Sequence, residues 1–362
     1  MLRPNDHIND ITPYIPGKPI DDVKRELGLS SVIKLASNEN NYGLPRKVVD
    51  GIKEKTHELF LYPDGSLYRL RKKLATRYVV SESQLIFGNG SDELLQLIAL
   101  AYLGPDREAL VSEGTFSEYA FSCKITNAPF RSIPLKNYAY DLDAFSHAIT
   151  PKTSVIFLCN PNNPTGTWFA SDELAAFIKK IPTNILIVID EAYFEYARGG
   201  DYPDSLAYIS EYSNVIILRT FSKLWSLAGL RIGYGLADQS LIESLNRVRQ
   251  PFNVNRVAEE AALLVLDEDD WAADIIDKNN YEREKMMVSL RKMGLNPLES
   301  KANFIFFETP LLAKDLFELL LGKGIIVRAM GGFGFIKAIR VTLGLPVENV
   351  AFIHALKEVL SE

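Results

Sequence analysis

The chain has 362 residues, carries 40 Lys and Arg against 46 Asp and Glu for a net charge of −6, and is 47% hydrophobic. That is an ordinary globular composition, long enough for a large core and two domains, and its acidic balance leaves no basic stripe for a nucleic-acid backbone. Two cysteines, Cys123 and Cys159, make no disulfide framework, no apolar run approaches the roughly 20 residues of a membrane span, and the four histidines lack zinc-ligand spacing.

The first 36 residues open as a polar stretch rich in Pro and Gly, without a signal-peptide apolar region, and run into a short amphipathic segment, Asp21–Leu27. From about residue 84 to 236, apolar runs rich in β-branched residues alternate with helical patterns. The runs are Leu85–Phe87, Ala109–Val111, Val155–Leu158, Ile185–Ile189, Val215–Leu218 and Leu230–Gly235; helical periodicity lies at Leu94–Tyr102 and Ser171–Lys179. Strands that are apolar without alternation are covered on both faces, so the pattern predicts an α/β fold with a mostly parallel sheet wound with helices. After about residue 250 a long helical region, Val257–Met293, leads to a strand at Asn303–Phe307 and a helix at Ala313–Leu321. Strands at Ile325–Arg328 and Ile339–Thr342 and a closing helix, Val347–Leu360, complete the chain. The expected organisation is a large α/β domain over residues 37–250 and a smaller α+β domain built from 1–36 and 251–362.

In an open α/β sheet, ligands bind beyond the carboxyl ends of the strands. The first run is followed by Gly88-Asn89-Gly90-Ser91-Asp92-Glu93, which opens a helix; the second by a loop holding Phe116; the third by Asn160-Pro161-Asn162-Asn163-Pro164-Thr165-Gly166. After Ile189 comes Asp190-Glu191-Ala192-Tyr193, and after Leu218 comes Arg219-Thr220-Phe221-Ser222-Lys223, with Arg231 close behind. Each piece alone has an ordinary reading: a strand-to-helix turn, a proline turn, a core aromatic, a surface lysine. Asp190 is the exception, because a carboxylate leaving a buried apolar strand is costly unless it is paired. The glycine segment is neither a dinucleotide fingerprint, since Glu93 stands where a third glycine belongs, nor a P-loop. Backbone N–H groups at that helix start suit a phosphate. All five features at strand ends describe a cofactor site.

One cofactor accounts for the set. Pyridoxal phosphate needs a lysine for a Schiff base, an acid that keeps the pyridine nitrogen protonated, donors at the ring hydroxyl, a flat group on one ring face and a phosphate cup.

Longer blocks resemble the fold-type I aminotransferases, and within them the histidinol-phosphate aminotransferase group. They are Pro13-Tyr14-Ile15-Pro16-Gly17-Lys18-Pro19, Lys34-Leu35-Ala36-Ser37-Asn38-Glu39-Asn40, Tyr62-Pro63-Asp64-Gly65, the asparagine, aspartate and lysine blocks above, Ala228-Gly229-Leu230-Arg231-Ile232-Gly233-Tyr234, Val327-Arg328 and Ile339-Arg340-Val341-Thr342. The resemblance implies that Lys223 carries the cofactor and shuttles a proton, Asp190 pairs with the pyridine nitrogen, Tyr193 and Asn163 donate to the ring oxygen, and Phe116 stacks on the ring. It implies that Ser91, Asp92, Thr220, Ser222 and Arg231 hold the phosphate, and that Tyr62 reaches it from a second subunit of a homodimer. Tyr14, Asn40, Arg328 and Arg340 are implied on the substrate side. The expected reaction passes the amino group of histidinol phosphate to 2-oxoglutarate in a cytoplasmic enzyme. Alternatives on the same scaffold are an aromatic amino-acid aminotransferase and a decarboxylase of a phosphorylated amino acid. Three positions depart from the family pattern: Asn40-Asn41-Tyr42-Gly43 lacks a proline, Phe116 stands where tyrosine is frequent, and Met330–Ile336 is unusually apolar.

Overall fold

The computed structural model describes residues 2–13 and 20–361. Twelve strands are formed among them: β1 (Ile33–Lys34), β2 (Leu85–Gly88), β3 (Glu108–Ser112), β4 (Phe130–Ile133), β5 (Thr153–Cys159), β6 (Leu186–Asp190), β7 (Val215–Thr220), β8 (Gly233–Ala237), β9 (Phe304–Glu308), β10 (Ile325–Ile326), β11 (Arg328–Ala329) and β12 (Ala338–Thr342). Seven of them build one sheet in the order β2-β8-β7-β6-β5-β3-β4. Strands β7, β6, β5, β3 and β4 run parallel to one another, and β8 lies antiparallel to both β2 and β7.

The unbroken apolar runs have the origin expected of them. Along β6, Ile187 and Ile189 enter one core layer while Leu186 and Val188 enter the other, so every residue of the strand is covered. Helices Tyr68–Tyr78, Ser171–Lys180 and Arg256–Val265 supply the first layer through residues such as Leu74, Phe177 and Ala262. Helices Ser91–Tyr102, Glu118–Ile125 and Gln239–Asn246 supply the second through Leu94, Tyr119 and Leu245.

A three-stranded antiparallel sheet, β11-β12-β9, has its own core against helices Asp269–Lys292, Ala313–Gly322 and Pro346–Ser361, where Leu290, Leu316 and Phe352 meet Ile305, Phe307 and Val341. Early in the chain, β1 pairs in parallel with β10. The run expected as one strand at Ile325–Arg328 is therefore two strands in two sheets. The expected helical region Val257–Met293 is two helices separated at Leu266–Glu268. The run at Leu230–Gly235 begins its strand only at Gly233, because Leu230 closes a 3₁₀ turn and Arg231 takes a left-handed φ of +56° that no strand accommodates.

Candidate active site

Strands β3, β5, β6 and β7 end at one edge of the sheet and the reversed β8 begins there. A cleft opens at this edge. Ten of the residues singled out from the sequence line it: Ser91, Asp92, Phe116, Asn163, Asp190, Tyr193, Thr220, Ser222, Lys223 and Arg231. Cys159, the register partner of Asp190 across β5 and β6, and Ala192 complete the wall.

Asp190 is the last residue of β6 and is 2% exposed. Its Oδ2 accepts a hydrogen bond from the Tyr119 hydroxyl at 2.8 Å and its Oδ1 accepts one from the Ala192 backbone N–H at 3.2 Å. Burial nonetheless pushes its carboxyl up to about 7, with the Tyr119 hydroxyl pulling the other way and the Asp92 charge adding to the rise. A cationic N–H placed against this carboxylate relieves that cost.

Lys223 follows β7 in the turn Phe221-Ser222-Lys223. Its Nζ donates to the Ser37 carbonyl at 3.4 Å and lies 5.6 Å from the centre of the Tyr193 ring. Burial, then the nearby Arg340 guanidinium, pushes its amine down to about 8. An amine so placed is partly neutral near neutral pH, and so serves as both nucleophile and base.

The opposite end of the cleft is built for an anion. Gly90 precedes the 12-residue helix Ser91–Tyr102 and offers no side-chain cap, so the helix's first N–H groups face the cleft with its dipole behind them. Gly90 has φ +80°, and a Cβ there would stand 2.5 Å from Arg231 Nη2; a Cβ on Gly233 would stand 2.5 Å from the Ser91 nitrogen. These glycines let the backbone and the guanidinium close on one point. Arg231 Nη2 donates to Asp92 Oδ2 at 3.0 Å and its Nη1 to Ser222 Oγ at 3.4 Å. Ser222 Oγ also accepts from Thr220 Oγ1 at 3.0 Å, which leaves the serine's own proton to donate elsewhere.

Between the two ends sits a polar network. Asn38 Nδ2 donates to the Tyr193 hydroxyl oxygen at 2.8 Å, so the phenol proton is available to another acceptor. Asn38 has φ +56°, is 1% exposed, and is tied to Thr342 on β12 through its backbone N–H at 2.9 Å and its Oδ1 at 3.1 Å. Arg340, also on β12, donates from Nη1 to Asn163 Oδ1 and from Nη2 to the Ala36 carbonyl at 2.7 Å. The second sheet thus touches the cleft through Arg340 and Thr342.

Other expected residues lie outside the cleft's lining. Asn40 donates to the Leu224 carbonyl at 2.8 Å and accepts from the Tyr42 N–H at 3.1 Å, bracing the turn beside Lys223. Arg328 is the cross-strand partner of Arg340. Tyr62 is 79% exposed and stacks on Phe252 at 5.0 Å. Tyr14 lies outside the described residues. Sequence reasoning passed over Tyr119 and Asn38. Asn38 stands inside a quoted motif, so its signal was present; Tyr119 is one aromatic in a short helix of mixed composition, and nothing local distinguishes it.

A family model described as aminotransferase class I and II matches residues 30–355. The chain is 47% identical over 353 residues to a histidinol-phosphate aminotransferase of Caldicellulosiruptor saccharolyticus, covering 98% of this chain and 99% of that one. It is 44% identical over 355 residues to one of Moorella thermoacetica, covering 98% and 92%. Among solved structures, the histidinol-phosphate aminotransferase of Sinorhizobium meliloti in complex with pyridoxal-5'-phosphate superposes with a TM-score of 0.92 at 25% identity, over 100% of this chain and 98% of that one.

Proposed function

The chain belongs to the class I and II aminotransferase family, and from that premise we propose that it is a pyridoxal 5'-phosphate enzyme of histidine biosynthesis. The reaction moves the amino group of L-histidinol phosphate to 2-oxoglutarate, giving imidazole acetol phosphate and L-glutamate. The observation that carries this reading is identity of 44% and 47% along almost the whole length of two histidinol-phosphate aminotransferases.

The donor set fits the cofactor. An uncapped helix start with Arg231 and Ser222 suits its phosphate, buried Asp190 has no salt-bridge partner among the described residues, and Lys223 is an amine of depressed basicity. When bound, pyridoxal phosphate supplies an aldehyde for an amine to hold and a ring that draws electrons from the carbon bearing the substrate's amino group. The protein does the rest. Asp190 holds the proton of the ring nitrogen. Lys223 Nζ takes the proton from the substrate Cα and returns it one position away, which requires both of its protonation states within reach. The Tyr193 hydroxyl, fixed by Asn38, and Asn163 would donate to the ring oxygen, and Phe116 would pack against the ring. The backbone N–H groups of Ser91 and Asp92, with Thr220, Ser222 and Arg231, would grip the phosphate. Arg340 and Arg328, with Asn40 and Tyr14, would take the anionic ends of the substrates, because a guanidinium forks onto carboxylate or phosphate.

The same reading includes the quaternary and domain organisation. The cofactor domain expected at 37–250 extends to the helix Arg256–Val265, whose Ala258 and Ala262 pack in the large sheet's core, the rest of 251–362 with 1–36 makes a smaller domain, and two chains pair so that Tyr62 completes the partner's phosphate cup. The exposed apolar side chains at Leu59, Phe60, Leu61 and Tyr62 support such a pairing. We place the enzyme in the cytoplasm; among the described residues no helix is long and apolar enough to cross a membrane.

Titrating the visible absorbance of the purified holoenzyme with L-histidinol phosphate, phenylalanine and tyrosine tests the substrate. Histidinol phosphate should bleach it at the lowest concentration. Saturation first by an aromatic amino acid would reassign the enzyme to aromatic amino-acid transamination, and carbon dioxide release from an added O-phospho amino acid would reassign it to decarboxylation.

A further inference from the structure

Asp190 is held from behind by a residue outside the motifs. Tyr119 lies in the first turn of helix Glu118–Ile125 and is completely buried. Its ring stacks on Phe157 at 5.2 Å and 11°, and meets Phe116 edge-on at 5.7 Å and 85°. Its hydroxyl donates to Asp190 Oδ2 at 2.8 Å. With the Ala192 N–H on Oδ1, both carboxylate oxygens have one fixed donor, and the carboxylate plane is set before anything enters the cleft.

We propose that Tyr119 is a positioning residue for the cofactor's ring nitrogen: its hydroxyl fixes and stabilises the Asp190 carboxylate, while its ring fixes the edge of Phe116. This rests on the pyridoxal phosphate reading of the cleft. One side chain thereby couples the acid at the end of the ring to the aromatic along its face. The chemistry requires such a donor. A carboxylate in a dry site reverts to its neutral form unless hydrogen bonds favour the charged one, and a neutral acid cannot hold a pyridinium proton. A phenol suits the task, since its own proton does not leave here. Burial and the Asp190 charge raise its pKa well above the usual tyrosine value, so it remains a donor.

The test is Tyr119→Phe, which removes one oxygen and keeps both ring contacts. Binding of pyridoxal 5'-phosphate to the stripped protein should weaken roughly tenfold or more, the size of one hydrogen bond to a charged group. Binding of the analogue whose ring nitrogen is replaced by CH should stay within about twofold, because there is no nitrogen proton for Asp190 to hold. In the cofactor-free variant the Asp190 carboxyl, followed by infrared titration against Asp190→Asn, should titrate at higher pH than in the wild type. Equal losses for both compounds, or no loss for either, would overturn the role of Tyr119 and leave the cofactor reading intact. A wild type that binds neither compound would overturn both. Should Tyr119→Phe fail to fold, 3-fluorotyrosine introduced at position 119 keeps the ring and strengthens the donor. It should lower the Asp190 titration midpoint, and an unmoved midpoint overturns the proposal.

Discussion

At the scale of single residues, two buried charges of the cleft, Lys223 and Asp190, stand without a salt bridge among the described residues, while Arg231 and Asp92 pair with each other. Lys223 is pushed down to about 8 by burial first and by Arg340 second, while Asp92 and Glu39 pull the other way. The sign follows from the charged form: a neighbouring cation disfavours an ammonium, a neighbouring carboxylate favours it. In the cofactor-free protein, acylation of Lys223, followed by peptide mass spectrometry, should therefore rise with pH through a midpoint near 8. Arg340→Met should move that midpoint up toward the ordinary lysine range, and Asp92→Asn should move it down. A wild-type midpoint at the ordinary value of about 10.4 would mean the amine is solvated as any surface lysine is. Asp190 carries the complementary cost, raised to about 7 until an opposite charge is placed against it.

Secondary-structure elements turn these residues into a site by ending where they do. Asp190 and Thr220 close β6 and β7, and the residues after β2 open a helix, so turns of a few residues converge on one cleft. This convergence was legible in the sequence, because strands covered on both faces announce themselves as unbroken apolar runs whose ends are marked by the first polar residue. Strand β4 was not legible: Phe130–Ile133 sits at the sheet's edge with Arg131 and Ser132 exposed, and reads as neither apolar nor alternating. The reversal of β8 was hidden as well, since direction depends on the turn at Arg231 rather than on composition. Tyr119 escaped for a third reason, that its partner is 71 residues away in the chain. Gly90 is the element-scale feature most open to test. Gly90→Ala puts a methyl where Arg231 Nη2 lies at 2.5 Å and forces an L-residue to φ +80°. Backbone strain of about 1–3 kcal/mol, since Gly90 also has ψ 169°, a region essentially reserved for glycine, adds to the displaced guanidinium. Affinity for pyridoxal 5'-phosphate should fall at least tenfold, while affinity for pyridoxal without its phosphate should change little, as equilibrium dialysis of the two would show.

For the whole molecule, the net charge of −6 describes the solvated exterior and says little about ligands that are all anionic. In the proposed site, anion binding would rest on a few cations at the junction of the two sheets: Arg231 beside the helix start, Lys223 on its turn, and Arg340 reaching across from β12. The remaining unexplained exterior is apolar. Phe60 is 83% exposed, Tyr62 79%, and Leu59, Leu61 and Phe252 stand exposed beside them. Surface this apolar is costly in water, and a second chain covering it removes that cost at about 25 cal/mol per Å² of apolar area buried. Arg256 holds the segment in place by donating to the Tyr62 carbonyl at 2.6 Å and to Glu58 at 2.7 Å, so Tyr62 projects from an ordered turn. If two chains pair here with Tyr62 reaching the partner's phosphate cup, assembly and cofactor affinity are coupled. Phe60→Asp should yield a smaller species by light scattering and, in the same preparation, weaken pyridoxal 5'-phosphate binding several-fold, although residue 60 touches no group in its own cleft. Tyr62→Phe should weaken binding while the oligomer stays intact. Loss of assembly with unchanged affinity would show that each chain holds its cofactor alone, and would remove Tyr62 from the site.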